Sequence, residues 1–183
     1  MNTRNWVFSA MMTAVIAILA QLSIPIGPVP ITLSVFGVYL AAGLLGARMG
    51  TISMIVYILL GAIGVPVFAN FSGGIHVLLG KTGGYLFGYI IATYFIGKFF
   101  EKSKDKSIRY RSIHFISLSL IGLVIIYTLG AIQLKYVLNL SFAKAFEFGV
   151  APFILFDIIK IVIASIIIVP IKQSLKSSNL LFE

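Results

Sequence analysis

The sequence predicts an all-α integral membrane protein of six transmembrane helices. Three observations predict it. Of the 183 residues, 60% are hydrophobic and 10% are charged, whereas soluble domains are nearer half apolar and about a quarter charged. Several apolar runs are long enough to cross a hydrocarbon core of about 30 Å. The charges fall between those runs, which is the layout of membrane loops. Too little water-exposed mass remains for a second domain, so residues 1–183 are read as one six-helix membrane domain.

The first span covers about residues 6–24. Arg4 followed by apolar residues to Leu22 also has the outline of a signal peptide. The rest of the chain is just as apolar, so cleavage would release no soluble domain, and the segment is read as a span. Ala10, Ala14, Ala17 and Ala20 recur along it at helical spacing. Such a small-residue face lets helices approach closely in lipid. Packing within the chain is the simpler use of it, and docking of another subunit the sharper one. Pro25, Pro28 and Pro30 cannot continue a helix, so an extended, semi-rigid loop follows.

The second span is about residues 31–47, with Thr32 and Ser34 in its first turn. Gly43, Gly46 and Gly50 predict a tight, closely packed turn carrying Arg48, and the third span, about 51–63, is short. Residues 64–81 are too apolar and glycine-rich for a solvated linker, and loops of this kind fold back as lids. The fourth span, about 82–100, carries a Gly84/Gly88 pair beside Tyr85 and Tyr89. A basic loop over 98–111 leads to the fifth span, about 112–136. Residues 140–148 read as a short interfacial amphipathic helix. The sixth span, about 150–171, is followed by a basic tail.

Six spans put both termini on one side. Arg4, Arg48, Lys98, Lys102, Lys104, Lys106, Arg109, Arg111, Lys172 and Lys176 share that side, and only Lys81, Lys135 and Lys144 lie opposite. Ten cations against three predict cytoplasmic termini. The loops between spans one and two and between spans three and four then face outward, as two lids over a pocket.

Asp157 and Lys160 carry the chemistry of that pocket. They lie inside the sixth span, three residues apart, so a helix puts both on one face. A charge at mid-bilayer costs roughly 2.5–3.5 kcal/mol on insertion scales, and residues that bear it usually face a cavity or a partner. Together they offer acceptor oxygens, donors and a positive charge to a small polar ligand. Asn70, Ser72, Thr32, Gln21, Tyr39 and Tyr85 are candidate neutral contacts, and Phe36, Phe68, Phe71 and Phe153 candidate apolar walls. The plainer alternative is a pair that only satisfies itself, although an alanine would then serve packing better.

Other chemistries are excluded or weak. The net charge of +9 is spread through loops, not gathered on a nucleic-acid-reading surface. With no cysteine there is no thiol chemistry, and His76 and His114 have no metal-ligand spacing and read as interfacial residues. Gly74 to Thr82 imitates a phosphate loop, but five residues separate Gly74 from Gly80 where the pattern needs four. No cofactor is expected, and the energy for any active transport would come from a partner or an ion gradient.

Five stretches, taken together, resemble the BioY family, the biotin-specific substrate-binding (S) components of energy-coupling factor (ECF) vitamin transporters. They are Pro28-Val29-Pro30-Ile31-Thr32-Leu33, Ala42-Gly43-Leu44-Leu45-Gly46, the run from Tyr57 to Phe68, Gly80-Lys81-Thr82-Gly83-Gly84-Tyr85-Leu86 and Phe156-Asp157-Ile158-Ile159-Lys160. The resemblance spans nearly the whole chain in order. It implies six helices, capture of biotin from outside the plasma membrane, and contacts to biotin from Asp157, Lys160 and Asn70. It also implies that Ala10 and Ala14 dock on a transmembrane coupling subunit that partners two ATPases, which favours the sharper use of the alanine stripe. Ser34 and Lys81 depart from the family's common Gln and Pro and put individual contacts in question.

Whether Lys160 meets the ureido oxygen or the carboxylate of biotin stays open at this level. So do three rival readings. The first is an S component for thiamine, riboflavin or another vitamin. The second is an intramembrane enzyme using Asp157 and Lys160 as acid and base, disfavoured by the lack of a second acid, a cysteine or a placed histidine. The third is a structural subunit without a ligand.

Overall fold

The computed structural model describes residues 3–103 and 106–177, with side chains up to residue 174. Lys104 and the side chain of Lys176, two of the cations that orient the chain, lie outside that description. The described chain is mostly helical. Helix α1 spans Thr3–Gln21, α2 Ser34–Leu40, α3 Gly46–Ala62, α4 Ile75–Leu79, α5 Gly83–Glu101, α6 Ile108–Val137, α7 Phe142–Gly149 and α8 Ile154–Ser177. Among the described residues, four stretches have the length and hydropathy to cross a bilayer: Thr3–Gln21, Ser34–Ala62, Ile108–Val137 and Ile154–Ser174. Helix α5 is as long as α1 and ends on Lys98 and Glu101.

The stretch Ser34–Ala62 is two rods, as the glycines predict. Helix α2 widens into a π-helical turn at Ala41–Leu45, and Gly46 then leaves helical space at φ 78°, ψ −170°. A Cβ on Gly50 would lie 2.5 Å from the carbonyl oxygen of Ala41. Residues nine apart in one straight helix are about 13 Å apart, so the chain has folded back. The turn comes at Gly46, and Arg48 is an exposed residue of α3 instead of a turn residue.

The Gly84/Gly88 pair lets α5 and α6 touch backbone to backbone. A Cβ on Gly88 would lie 2.9 Å from Cα of Ile126, and one on Gly84 would collide with the Leu129 carbonyl. In lipid there is little hydrophobic drive between helices, so such close packing supplies the association. Buried polar links do the same between α1 and α3. The Ser9 and Ser53 hydroxyls meet at 2.8 Å, and Thr13 donates to the Ser53 carbonyl at 3.0 Å.

The proline loop is a hairpin and not simply an extended segment. Strand β1 (Ser23–Ile24) pairs antiparallel with β2 (Ile31–Thr32), Ser23 opposite Thr32. The helix after this loop therefore begins at Ser34, and not at Ile31 as expected, because Ile31 and Thr32 are committed to the strand. Residues 64–81 fold back as expected, into a single turn over Ala69–Phe71 and the short α4. The amphipathic α7 follows the prediction closely, capped by the Ser141 hydroxyl.

Candidate functional site

Helix α8 brings Asp157 and Lys160 to one face in its first two turns. Lys160 Nζ donates to Asp157 Oδ1 at 2.7 Å and to the backbone carbonyl of Thr32, also at 2.7 Å. The hydroxyl of Tyr127, on α6, donates to Asp157 Oδ2 at 2.7 Å. Asp157 is 2% exposed and Lys160 8%. The pair thus lies at the junction of α6, α8 and the end of the hairpin.

This pair lines a cavity of about 390 Å³, within the roughly 300–1,000 Å³ usual for small-molecule sites. Thr32, Asn70 and Tyr85 share the wall. Thr32 contributes its backbone carbonyl to Lys160, while its hydroxyl donates to Ser34 Oγ at 3.0 Å. Tyr85 is more than a wall residue. Its ring lies against Gly130, where any Cβ would collide with it, and its hydroxyl donates to the Gly149 carbonyl at 2.8 Å. It brackets α5, α6 and the end of α7.

Asn70 adopts a left-handed conformation, φ 58°, ψ 37°, which asparagine tolerates better than most residues. Its Oδ1 accepts from the Ser23 hydroxyl at 2.9 Å, tying the hairpin to the second loop. Gln21 reinforces the tie. Its Nε2 donates to the Val67 carbonyl at 3.1 Å, and its Oε1 accepts the Phe71 amide at 2.8 Å. From the other side, Gln133 Nε2 on α6 donates to the carbonyls of Leu78 and Gly80 at 2.8 and 2.7 Å. Both loops line the cavity and are tied by these bonds to one another, to α1 and to α6.

Among the other candidates, Ser72, Phe68 and Phe153 line the cavity. Phe68 is buried, stacked edge-on against Tyr57 with centroids 5.4 Å apart. Gln21, Tyr39, Phe36 and Phe71 are not in the wall. Gln21 is spent on the loops, Tyr39 is fully buried beside the site, and Phe71 is 72% exposed. His76 and Lys81 are exposed residues of the cavity rim, so His76 is part of the site and not only interfacial. Ala10 and Ala14 lie on the exposed face of α1, whereas Ala17 and Ala20 turn inward, so the alanine stripe divides between two faces.

Sequence reasoning missed Tyr127 and Gln133. A tyrosine and a glutamine within an apolar span are a signal, since uncompensated polar groups in lipid are costly, but nothing in their spacing names a partner.

Comparison with known proteins bears on this site. The family model described as the BioY family matches residues 1–177. A biotin transporter BioY of Thermotoga maritima is 43% identical over 170 residues, covering 93% of this chain and 96% of that one. A probable biotin transporter BioY of Pyrococcus horikoshii is 45% identical over 158 residues, covering 86% and 90%. Among solved structures, that of the S-component for biotin from an ECF-type ABC transporter superposes with a TM-score of 0.84 at 32% identity, covering 94% of this chain and 95% of that one.

Proposed function

The chain belongs to the BioY family, and on that premise we propose that it is the biotin-binding component of an uptake transporter, with Asp157 and Lys160 as its recognition pair. The observation that carries the assignment of the site is the unused hydrogen-bonding capacity of that pair. A carboxylate offers about four acceptor positions and an ammonium three donors. Asp157 spends one on Lys160 and one on Tyr127; Lys160 spends one donor on Asp157 and one on Thr32. Two acceptor positions and one donor remain. A cyclic urea has two N–H donors and one carbonyl acceptor, the complementary set.

The rest of the ligand follows from charge. The heterocycle is neutral and suits the buried pair. The carboxylate suits the rim, where desolvation is slight and Lys81 has no ion-pair partner among the described residues. Lys160 on this reading meets the ureido oxygen and Lys81 the carboxylate. Asn70, Thr32 and Tyr85 complete the enclosure. The site binds without chemistry, and the protein is not an enzyme.

In this reading one membrane domain crosses the plasma membrane six times, by α1, by α2 with its π-helical turn, and by α3, α5, α6 and α8. Helix α2 and its turn rise only about 18 Å, and the hairpin makes up the remaining depth. Both termini are cytoplasmic and the two clasped loops are lids on the outer side. The exposed Ala10–Ala14 face docks on the transmembrane coupling subunit of an ECF transporter, which carries two ATPases. Calorimetric titration of the detergent-purified protein with biotin, thiamine and riboflavin tests the cargo: tight binding of biotin alone is expected, and preference for another vitamin would refute it.

A further inference from the structure

The end of the helix bundle remote from the biotin site holds two buried cations that form no ion pair among the described residues. Arg111, in the first turn of α6, is 3% exposed, and Lys172, near the end of α8, is 8% exposed. Lys172 lies fifteen residues beyond Asp157 along α8, about 22 Å away. Both cations pack on the ring of Phe100, at the end of α5, at 5.5 and 5.4 Å from its centroid. Phe100 is itself buried and stacked edge-on against Phe115.

Among the described residues neither cation has a carboxylate within ion-pairing distance or a side-chain hydrogen bond, and Arg111 Nε is buried without a partner there. The adjacent carboxylate, Glu101, spends Oε1 on the Ala47 amide at 3.0 Å. Glu101 is near enough to offset part of the charge of Lys172, but one carboxylate cannot balance two buried cations, and burial of charge that is not fully compensated is costly.

The surroundings indicate what would satisfy them. Lys98, Lys102, Lys106 and Arg109 are exposed around the same helix ends, and the apolar Ile108, Ile171 and Ile167 are exposed next to them. A cationic notch bordered by an apolar flank, at the membrane surface, fits a phosphate joined to acyl chains. Basic pockets between transmembrane helices on the cytoplasmic side bind such headgroups, and arginine is suited to gripping phosphate with two parallel hydrogen bonds.

We propose that Arg111 and Lys172, braced on Phe100, form a site for the phosphate headgroup of an anionic phospholipid in the inner leaflet. The proposal rests on the membrane reading and is independent of the identity of the vitamin. The site anchors the ends of α5, α6 and α8 to the leaflet where the positive loops lie.

The test is native mass spectrometry of the full chain in detergent, with phosphatidylglycerol and phosphatidylcholine of identical acyl chains in equal amounts. The wild type is expected to retain phosphatidylglycerol preferentially. The preference should fall about fivefold with Lys172→Gln and as much again when Arg111→Gln is added. The charge-keeping pair Arg111→Lys and Lys172→Arg should restore most of it, which separates loss of the site from loss of the fold. Equal retention of both lipids by the wild type, or an unchanged preference in the double Gln variant, would overturn the proposal. Inorganic phosphate is the remaining arm. If millimolar phosphate abolishes the preference and stabilises the protein without lipid, the site takes the free ion and the lipid assignment fails.

Discussion

Replacing Asp157 by asparagine is the most informative single change to this protein. The side chains have nearly the same shape, so the cavity is preserved while the charge is lost. Two effects follow. The Lys160 ammonium, 8% exposed, keeps the Thr32 carbonyl but loses its counter-ion. Stranding one member of a buried pair costs about 3–5 kcal/mol, and the variant should unfold at a clearly lower temperature. The second effect is on biotin. The amide of asparagine keeps one acceptor oxygen and replaces the other by a donor, so at least one charge-assisted hydrogen bond to the ureido group is lost. Bonds to charged groups are worth about 1.5–3 kcal/mol, which corresponds to a Kd raised roughly ten- to a hundredfold. Titration calorimetry with biotin, on wild type and variant purified in the same detergent, measures the second effect; a thermal melt without ligand measures the first. A folded Asp157→Asn protein with wild-type affinity would refute the assignment of the recognition pair, whatever its melting temperature.

Four further outcomes are expected. Tyr127→Phe deletes one 2.7 Å hydrogen bond to Asp157 and should weaken biotin about fivefold, a cost of about 1 kcal/mol, readable in the same titration. Lys81→Gln should weaken biotin by no more than about fivefold, as an exposed charge contributes at most about 1 kcal/mol; the affinity for the amide of biotin, which has no carboxylate, should not change. Ala14→Trp, on the exposed face of α1, should leave biotin binding by the isolated protein intact and abolish uptake by the assembled transporter, measured with labelled biotin in cells that carry the coupling module. Gly88→Leu drives a side chain into the backbone of Ile126, and melting in detergent should show the large destabilisation expected of overpacking, about 1–3 kcal/mol or more.

Asp157 and Lys160 were legible in the sequence because a charge inside an apolar run is conspicuous and a spacing of three fixes a shared helical face. The same holds for the turn at Gly46, the α5–α6 contact at Gly84 and Gly88, and the folded-back loop over 64–81, where glycines and prolines restrict the backbone locally. Of the partners of the pair, Thr32 was read as a candidate pocket contact but not as a partner of Lys160, and Tyr127 was not read at all. Thr32 reaches Lys160 across 128 positions and Tyr127 reaches Asp157 across 30, and both depend on how far each helix is rotated about its axis. In a soluble helix the alternation of polar and apolar residues reports that rotation. In α1, α6 and α8 the faces toward lipid and toward the core are both apolar, so the pattern carries almost no such information, and the split of the alanine stripe between two faces could not be foreseen. Only α7 carries a marked amphipathic pattern, and a short helix is present there at Phe142–Gly149. The sequence by itself therefore determined most of the helical stretches, the places where glycines and prolines break them, and which residues bear charge in an apolar setting. The tertiary structure alone decided which way each helix faces, and with that which neutral groups meet the charges and how the two loops are tied to one another and to their helices.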